Sequence, residues 1–309
     1  MSFIHVGDIH CKEKQPFKQA SLNFLNWLLE NYKEETIIQG GDFFDSSSHQ
    51  HKYMDEIIQI ISQFKDFRII NGNHDQSARL GSILFPLRQH KNITIYDGIF
   101  EIIIDDINLI LLPFQNSYKD YENLKVEDYR FDYSINHFTP IQEAFSNEGI
   151  ELKFKVNTAH IFNHIHRHRE FIDNFGNNVL ITGSIMDTRF GEQGWEKNIY
   201  RVSKESYEKI SVPQFFTYET VSYGEVPESK DNIINVIDAP NKKLVFEKYK
   251  EYYIREAGIK LLRTENTQGT FKQEFESTNI LQKFKKYSID KALSKEVSEE
   301  CSSRLLNII

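Results

Sequence analysis

The chain has 309 residues, 39% hydrophobic and 27% charged, which excludes a disordered protein and predicts one large core with something smaller beside it. Its net charge of −8 speaks against a protein that wraps nucleic acid by electrostatics alone, and no apolar run approaches the roughly 20 residues of a membrane helix. Two cysteines, Cys11 and Cys301, stand at opposite ends and form no framework, and no secretory leader is read, so the expected setting is the cytoplasm, with no membrane.

Phe3-Ile4-His5-Val6 reads as a short strand that ends in Gly7-Asp8-Ile9-His10. Phe17, Ala20, Ser21, Phe24, Leu25, Leu28 and Leu29 then recur at helical spacing behind Pro16, a residue suited to a first turn. Thr36-Ile37-Ile38-Gln39 is a second buried strand, closed by Gly40-Gly41-Asp42-Phe43-Phe44-Asp45. A helix with Met54, Ile57, Ile58, Ile61 and Phe64 on one face follows, and then the strand Phe67–Ile70, which stops in Asn71-Gly72-Asn73-His74-Asp75. Strands alternating with helices predict an α/β arrangement with parallel strands, whose carboxyl ends are where ligands bind.

Beyond this point the pattern turns to β. Strands are predicted at Ile93–Tyr96, Phe100–Ile104 and Ile107–Leu112, with a polar, Tyr-rich surface loop over 115–132. Tyr133–Asn136 leads into His137, Val156–Phe162 leads into His164, and further strands run through Arg169–Ile172, Val179–Thr182 and Asn198–Val202. From Pro213 a separate β-α-β cap is expected: strand Ile233–Ile237, helix Leu244–Ala257 closed by Gly258, and strand Ile259–Leu262. Leu293, Val297, Cys301 and Leu305 give the tail a helical pattern. The predicted division is therefore 1–212, 213–266 and 267–309.

The strand-end clusters carry the chemistry. They are Asp8-x-His10, Gly41-Asp42-x-x-Asp45, Gly72-Asn73-His74-Asp75, His137 and His164-x-His166. Residues i and i+2 of extended chain face one way, so Asp8 with His10, and His164 with His166, can each address one site. Mixed imidazole and carboxylate donors suit Mn, Fe or Zn better than Mg or Ca alone. Seven donors are too many for one ion and suit two ions with a bridging carboxylate. Taken singly, each cluster has an ordinary reading as a turn, a surface histidine or a solvated strand edge. Their ordered recurrence at strand ends is the signal.

That series resembles the five motifs of the calcineurin-like metallophosphoesterases. The resemblance implies a two-sheet α/β/β/α sandwich with a small α+β cap and a helical tail. It implies one divalent metal on Asp8, His10, Asp42 and His166, and a second on Asp42, Asn73, His137 and His164, with Mn the first expectation and Fe, Zn or Mg the alternatives. His74 matches the family's catalytic histidine, with Asp75 expected to orient its imidazole. One departure is Asn163, where the family usually has glycine.

Gly41-Asp42-Phe43-Phe44-Asp45, together with Gly183-Ser184 and Phe190-Gly191-Glu192-Gln193-Gly194, is similar to the nuclease subunits of SbcCD-type double-strand-break repair complexes, including phage recombination endonucleases. This implies a two-metal DNA exo- and endonuclease working with an SbcC-like coiled-coil ATPase that docks on the C-terminal helices, in a host cytoplasm if phage-encoded. A homodimer is compatible with it. The alternatives are a stand-alone phosphoesterase for a small phosphodiester or phosphoprotein and, last, a non-catalytic scaffold, which would require ligand loss that the sequence does not show.

Overall fold

The hydrophobic periodicity resolves into two six-stranded sheets packed face to face, with helices on one outer side. The computed structural model describes residues 2–46, 51–77, 81–115, 121, 124, 126–144, 149–189 and 191–259. In the first sheet, strands β1 (Ser2–Val6), β2 (Thr36–Gln39), β3 (Asp66–Ile70) and β6 (Ile93–Tyr96) run parallel in that order. Strands β13 (Asn198–Ser203) and β14 (Tyr207–Ser211) extend it antiparallel beyond β1, giving the order β14-β13-β1-β2-β3-β6. The β4 (Gln76–Ser77) and β5 (Gly81–Ser82) pair is a two-residue ribbon just past the β3 turn.

The second sheet has the order β11-β12-β10-β9-β8-β7. Its strands are β7 (Phe100–Ile104), β8 (Ile107–Leu112), β9 (Tyr133–Asn136), β10 (Ala159–Phe162), β11 (Arg169–Ile172) and β12 (Asn178–Ile181). Strands β8, β9, β10 and β12 are parallel to one another, with β7 and β11 antiparallel at the two edges, so β9 and β10 also deliver their carboxyl ends to one edge.

Three layers of apolar side chains hold this together. Helices α1 (Phe17–Tyr32) and α2 (His51–Ile61) cover the first sheet. Phe24, Leu25, Leu28, Ile57 and Ile61 are fully buried there against Ile4, Ile37 and Phe67, each side chain contributing about 1.5–3 kcal/mol of burial. Between the sheets, Phe3, Ile38 and Ile70 meet Leu109, Leu111, Ile135, Ile161 and Leu180. The alternation of β1 explains this: Phe3 faces the second sheet and Ile4 the helices. The outer face of the second sheet is covered, among the described residues, by irregular chain carrying Ile150, Leu152, Phe154 and Val156.

Four expectations change. Ile93–Tyr96 and Asn198–Ser203 belong to the first sheet, because parallel pairing with β3 and antiparallel pairing with β1 satisfy their ladders. The segment 115–132 is not simply a surface loop: Tyr121 and Phe131 are buried in the outer layer, and the Tyr121 hydroxyl donates to Pro113 O. The helix expected at Leu244–Ala257 is only α3 (Lys242–Lys248), capped by Asn241 Oδ1 accepting from Leu244 N at 3.0 Å. Tyr253–Ile259 is instead strand β17, so Gly258 lies in a strand and caps no helix.

With β15 (Tyr218–Ser222) and β16 (Ile233–Ala239), β17 forms a three-stranded parallel sheet. Val221, Ile234, Val236, Val245 and Tyr249 give that sheet its own core. Phe216, Tyr218 and Ile233 join the core around α1, with the Phe216 and Phe17 rings 5.1 Å apart, and residues 1–259 make one compact unit. The rest of the expected Ile259–Leu262 strand, and the helical tail over 267–309, lie outside the described residues. No helix among the described residues is long and apolar enough to cross a membrane.

Two buried histidines outside the site tie the fold to pH. His5 Nε2 donates to Asn163 Oδ1 (3.1 Å), and His160 Nδ1 lies 2.6 Å from Ser134 Oγ. Burial lowers both from 6.5 to about 4. A histidine with a folded pKa below its unfolded one contributes stability above the unfolded value that is lost on acidification. Each therefore costs on the order of 2–3 kcal/mol as pH falls from 6.5 to 4. We expect His160→Gln, which cannot titrate, to lose less stability over that window. The difference from wild type in urea midpoints at pH 7 and pH 4.5 isolates this group, and parallel curves would refute the assignment.

Candidate metal centre

Every expected donor stands just beyond the carboxyl end of a parallel strand, where backbone geometry concentrates it. The loops after β1 and β2 are zipped together: His10 N donates to Asp42 O (3.0 Å) and Cys11 N to Phe43 O (2.8 Å). Gly41, at φ +105°, lies so close to His137 that a Cβ there would stand 2.2 Å from Nδ1. A Cβ at Gly72 would stand 2.1 Å from the Asp42 nitrogen. Bare glycine is what lets three strand ends meet.

His10 (φ 51°), Asp42 (φ 51°) and His164 (φ 81°) all adopt left-handed backbone. Side chains rarely tolerate this region, at a cost of about 1–3 kcal/mol each, and such residues gather at functional sites. Asn163 replaces the usual glycine without disturbing the turn. Buried, its amide bridges His5 Nε2, Thr182 Oγ1 (2.9 Å) and Asn136 O (3.1 Å), and the chain reverses at His164 instead.

The donors form two groups that share one carboxylate. Asp8, His10 and His166 converge on one side, and Asp42, His137 and His164 on the other, each set with ligand atoms within 4.8 Å of one another. Asp42 faces both: Oδ2 lies 3.8 Å from His10 Nε2, and Oδ1 lies 3.2 Å from His137 Nε2. Asn73 Oδ1 adds a further oxygen 3.1 Å from His137 Nε2.

Hydrogen-bond arithmetic tests whether these residues fit cations. His137 Nδ1 donates to Gly40 O (2.8 Å), so its Nε2 faces two more oxygens, Asp42 Oδ1 and Asn73 Oδ1, and a positive charge, proton or cation, has to stand between them. His166 Nδ1 faces the carboxylate of Glu192 at 2.9 Å, which leaves its Nε2 as a lone pair 3.0 Å from His10 Nε2. If His10 carries its proton on Nε2, its Nδ1 lone pair lies buried and unpaired 3.5 Å from Asp45 Oδ1. If it carries it on Nδ1, two bare nitrogens meet. His164 Nδ1 is likewise buried with no hydrogen-bond partner. Positive charge in both groups resolves each conflict, and the donor set fits two divalent cations.

The electrostatics show how strongly these groups act on one another without a cation between them. Burial, with repulsion from Asp42, raises Asp8 to about 7. Burial lowers His10 strongly and His164 to about 4, which keeps their imidazoles neutral as ligation requires. Burial opposes the charged forms of Asp42 and His137 as well. Their mutual attraction and hydrogen bond prevail, holding Asp42 well below the usual carboxylate range and His137 up at about 9.

His74 stands apart from these buried donors. Its side chain is 35% exposed, its Nδ1 lies 2.6 Å from Asp45 O, and its Nε2 is 4.0 Å from Asp42 Oδ2. The orienting group is thus the Asp45 carbonyl, not Asp75 as expected. Asp75 instead accepts from the backbone N–H groups of Phe43 (3.1 Å), Phe44 (2.9 Å) and Gly72 (3.0 Å), pinning the β2 loop to the β3 turn. Burial and Asp42 raise its pKa to about 6, against the pull of those donors. Both its oxygens are committed to the backbone, so its role is structural. Sequence reasoning also assigned no role to Glu192 or Thr188, although Phe190–Gly194 was singled out; contact with His166, 26 residues away, is what defines Glu192.

No curated protein matches the chain. Solved structures that the chain matches include a novel archaeal phosphodiesterase (14% identity, 69% of this chain and 100% of that one, TM-score 0.40). Another is the phosphopantetheinyl hydrolase of Mycobacterium tuberculosis (13%, 59% and 89%, TM-score 0.37). The family model for calcineurin-like phosphoesterases matches residues 1–196. With its two donor groups joined by Asp42 at the carboxyl edge of the paired sheets, this chain belongs to the calcineurin-like phosphoesterase family.

Proposed function

We propose that the protein is a two-metal phosphodiesterase that cuts DNA, serving in the cytoplasm as the nuclease subunit beside an SbcC-like coiled-coil ATPase. The observation that carries the hydrolytic reading is the shared carboxylate: Asp42 presents one oxygen to each of two buried lone-pair clusters, with the His74 imidazole half-exposed beside them. When bound, a pair of divalent cations supplies Lewis acidity at the phosphoryl group and an acidified water as nucleophile. Asp8, His10, Asp42 and His166 would hold one cation, and Asp42, Asn73, His137 and His164 the other. His74, with Nδ1–H fixed on Asp45 O, keeps Nε2 free to carry a proton to the leaving oxygen.

DNA as substrate draws support from the Gly41–Asp45 motif and from a cleft of about 550 Å³ beside Asp45, lined by Cys11, Lys12, Glu13, Lys14, Ser46 and Tyr53. Lys14 gives that cleft a cationic group suited to a phosphate chain, while Lys12 is paired there with Asp45 at 3.1 Å. With a net charge of −8, affinity for DNA would come largely from the partner.

Incubation with linear DNA and Mn²⁺ tests this directly. Strand scission that EDTA abolishes and excess Mn²⁺ restores is the expected result. Hydrolysis of bis(p-nitrophenyl) phosphate with intact DNA would overturn the nuclease in favour of a small-phosphodiester enzyme. Tight metal binding without either activity would leave only a scaffold. Co-purification of a large ATPase, lost on truncating residues 268–309, would separate the repair subunit from a free enzyme.

A further inference from the structure

We infer that Glu192 is a positioning residue that fixes the tautomer and aim of His166. Glutamate is almost never fully buried unless paired, yet Glu192 is only 4% exposed. Its partners account for it. Oε2 accepts from Thr188 N at 2.7 Å, and Oε1 lies 2.9 Å from His166 Nδ1 and 3.1 Å from Thr188 Oγ1.

The proton positions follow from donor chemistry. A carboxylate only accepts, and a backbone N–H only donates. His166 Nδ1 also lies 2.9 Å from Thr188 Oγ1, but that hydroxyl can donate to Glu192 Oε1, so the arrangement that satisfies the carboxylate puts the His166 hydrogen on Nδ1 and leaves Nε2 as a lone pair directed at His10 Nε2 (3.0 Å) and Asp8 Oδ2 (4.0 Å). None of the other donor imidazoles has this support. His137 is held by a backbone carbonyl, His10 Nδ1 lies 3.5 Å from a poorly aligned carboxylate, and His164 Nδ1 has no partner.

Glu192 is itself anchored. Lys197, 8% exposed, lies 4.0 Å from its Oε2 and 3.2 Å from Asp187 Oδ1, and Asp187 Oδ2 accepts from Thr217 Oγ1 (3.2 Å) at the approach to β15. A carboxylate behind a ligating histidine raises its basicity and fixes its orientation, and losing one typically costs 10–100-fold in metal affinity. The inference rests on reading His166 as a metal ligand.

The discriminating variant is Glu192→Gln, which keeps shape and volume. Thr188 N–H can only donate, so it takes the amide oxygen and turns the amide NH₂ toward His166 Nδ1. The ring then loses its charged acceptor, with Thr188 Oγ1 the one oxygen left beside Nδ1, and its hydrogen is expected to shift to Nε2. A residue that merely braced the loop would tolerate this change. We expect Glu192→Gln to melt close to wild type without metal and to bind one of two Mn²⁺ equivalents about 10–100-fold more weakly by equilibrium dialysis. Imidazole ¹⁵N shifts of metal-free protein, assigned by loss of the signal in His166→Gln, should show Nδ1–H in wild type and Nε2–H in the variant.

Unchanged affinity at both sites in Glu192→Gln, or a wild-type His166 protonated on Nε2, would overturn the inference. If wild type bound no Mn²⁺, the metal reading would fall, while the ring's tautomer would still report on the hold of Glu192. The wild-type spectrum decides that point even if the variant does not fold.

Discussion

Asp42→Asn is expected to abolish tight binding at both metal sites at once, and with it at least three decades of turnover, about 4 kcal/mol of transition-state stabilisation. The reasoning is geometric. Each Asp42 oxygen serves a different donor cluster, Oδ2 with His10 and Oδ1 with His137. Asp8 Oδ1 also comes within 3.9 Å of His137, but at Nδ1, which is committed to Gly40 O, so Asp42 is the carboxylate that reaches the Nε2 atoms of both clusters. Asparagine suits the left-handed backbone at this position (φ 51°) and can retain an oxygen for His74 N, which donates to Oδ1 at 2.8 Å. The fold should therefore survive while the charge disappears.

The readout is metal-induced stabilisation. A ligand at 100 times its Kd adds about 2.7 kcal/mol to folding, and that increment should vanish in Asp42→Asn titrated with Mn²⁺. Asn73→Ala, which removes a donor from one cluster only, should lose a single equivalent. If Asp42→Asn still bound one Mn²⁺ at wild-type affinity, the carboxylate would not be shared, and the two clusters would have to be independent sites.

The sequence made the donors legible for a physical reason. In a parallel sheet the chain leaves each strand at the same edge, so apolar runs such as Ile37–Ile38 and Ile69–Ile70 point straight at their polar sequels. Sheet membership was less accessible. Ile93–Tyr96 looks like the start of the β-rich half, yet it completes the first sheet beside β3, a partnership between residues 26 apart that no local pattern encodes. The helix after Asn241 ends at Lys248, although tyrosines at 249, 252 and 253 continue its apolar rhythm. Their bulk and the open edge of β16 favour a strand from Tyr253.

Asp75 misled through adjacency. Consecutive residues in a tight turn point in different directions, so His74 reaches Asp45 O while Asp75 turns back onto Phe43, Phe44 and Gly72. Glu192 was opaque for the converse reason, since its meaning lies in a contact across the fold.

His74 separates acid catalysis from metal ligation. We expect His74→Gln to bind two Mn²⁺ as wild type does and to lose about 10²–10⁴ in turnover on DNA, the usual worth of a positioned general acid. The alternative is concrete, because His10, Asp42 and His74 also lie within ligand distance of one another. Exposure and hydrogen bonding favour the acid. Nδ1 is committed to Asp45 O, Nε2 stands 4.0 Å from the nearest carboxylate oxygen, and the ring is open to solvent where a phosphodiester must enter. Leaving-group chemistry then provides the sharper test. A nitrophenolate departs without protonation, whereas a deoxyribose oxygen needs a proton as its bond to phosphorus breaks. His74→Gln should therefore hydrolyse bis(p-nitrophenyl) phosphate at a rate much closer to wild type than its rate on DNA. Equal losses on both substrates, together with one missing Mn²⁺ equivalent, would make His74 a ligand and transfer the proton to another group.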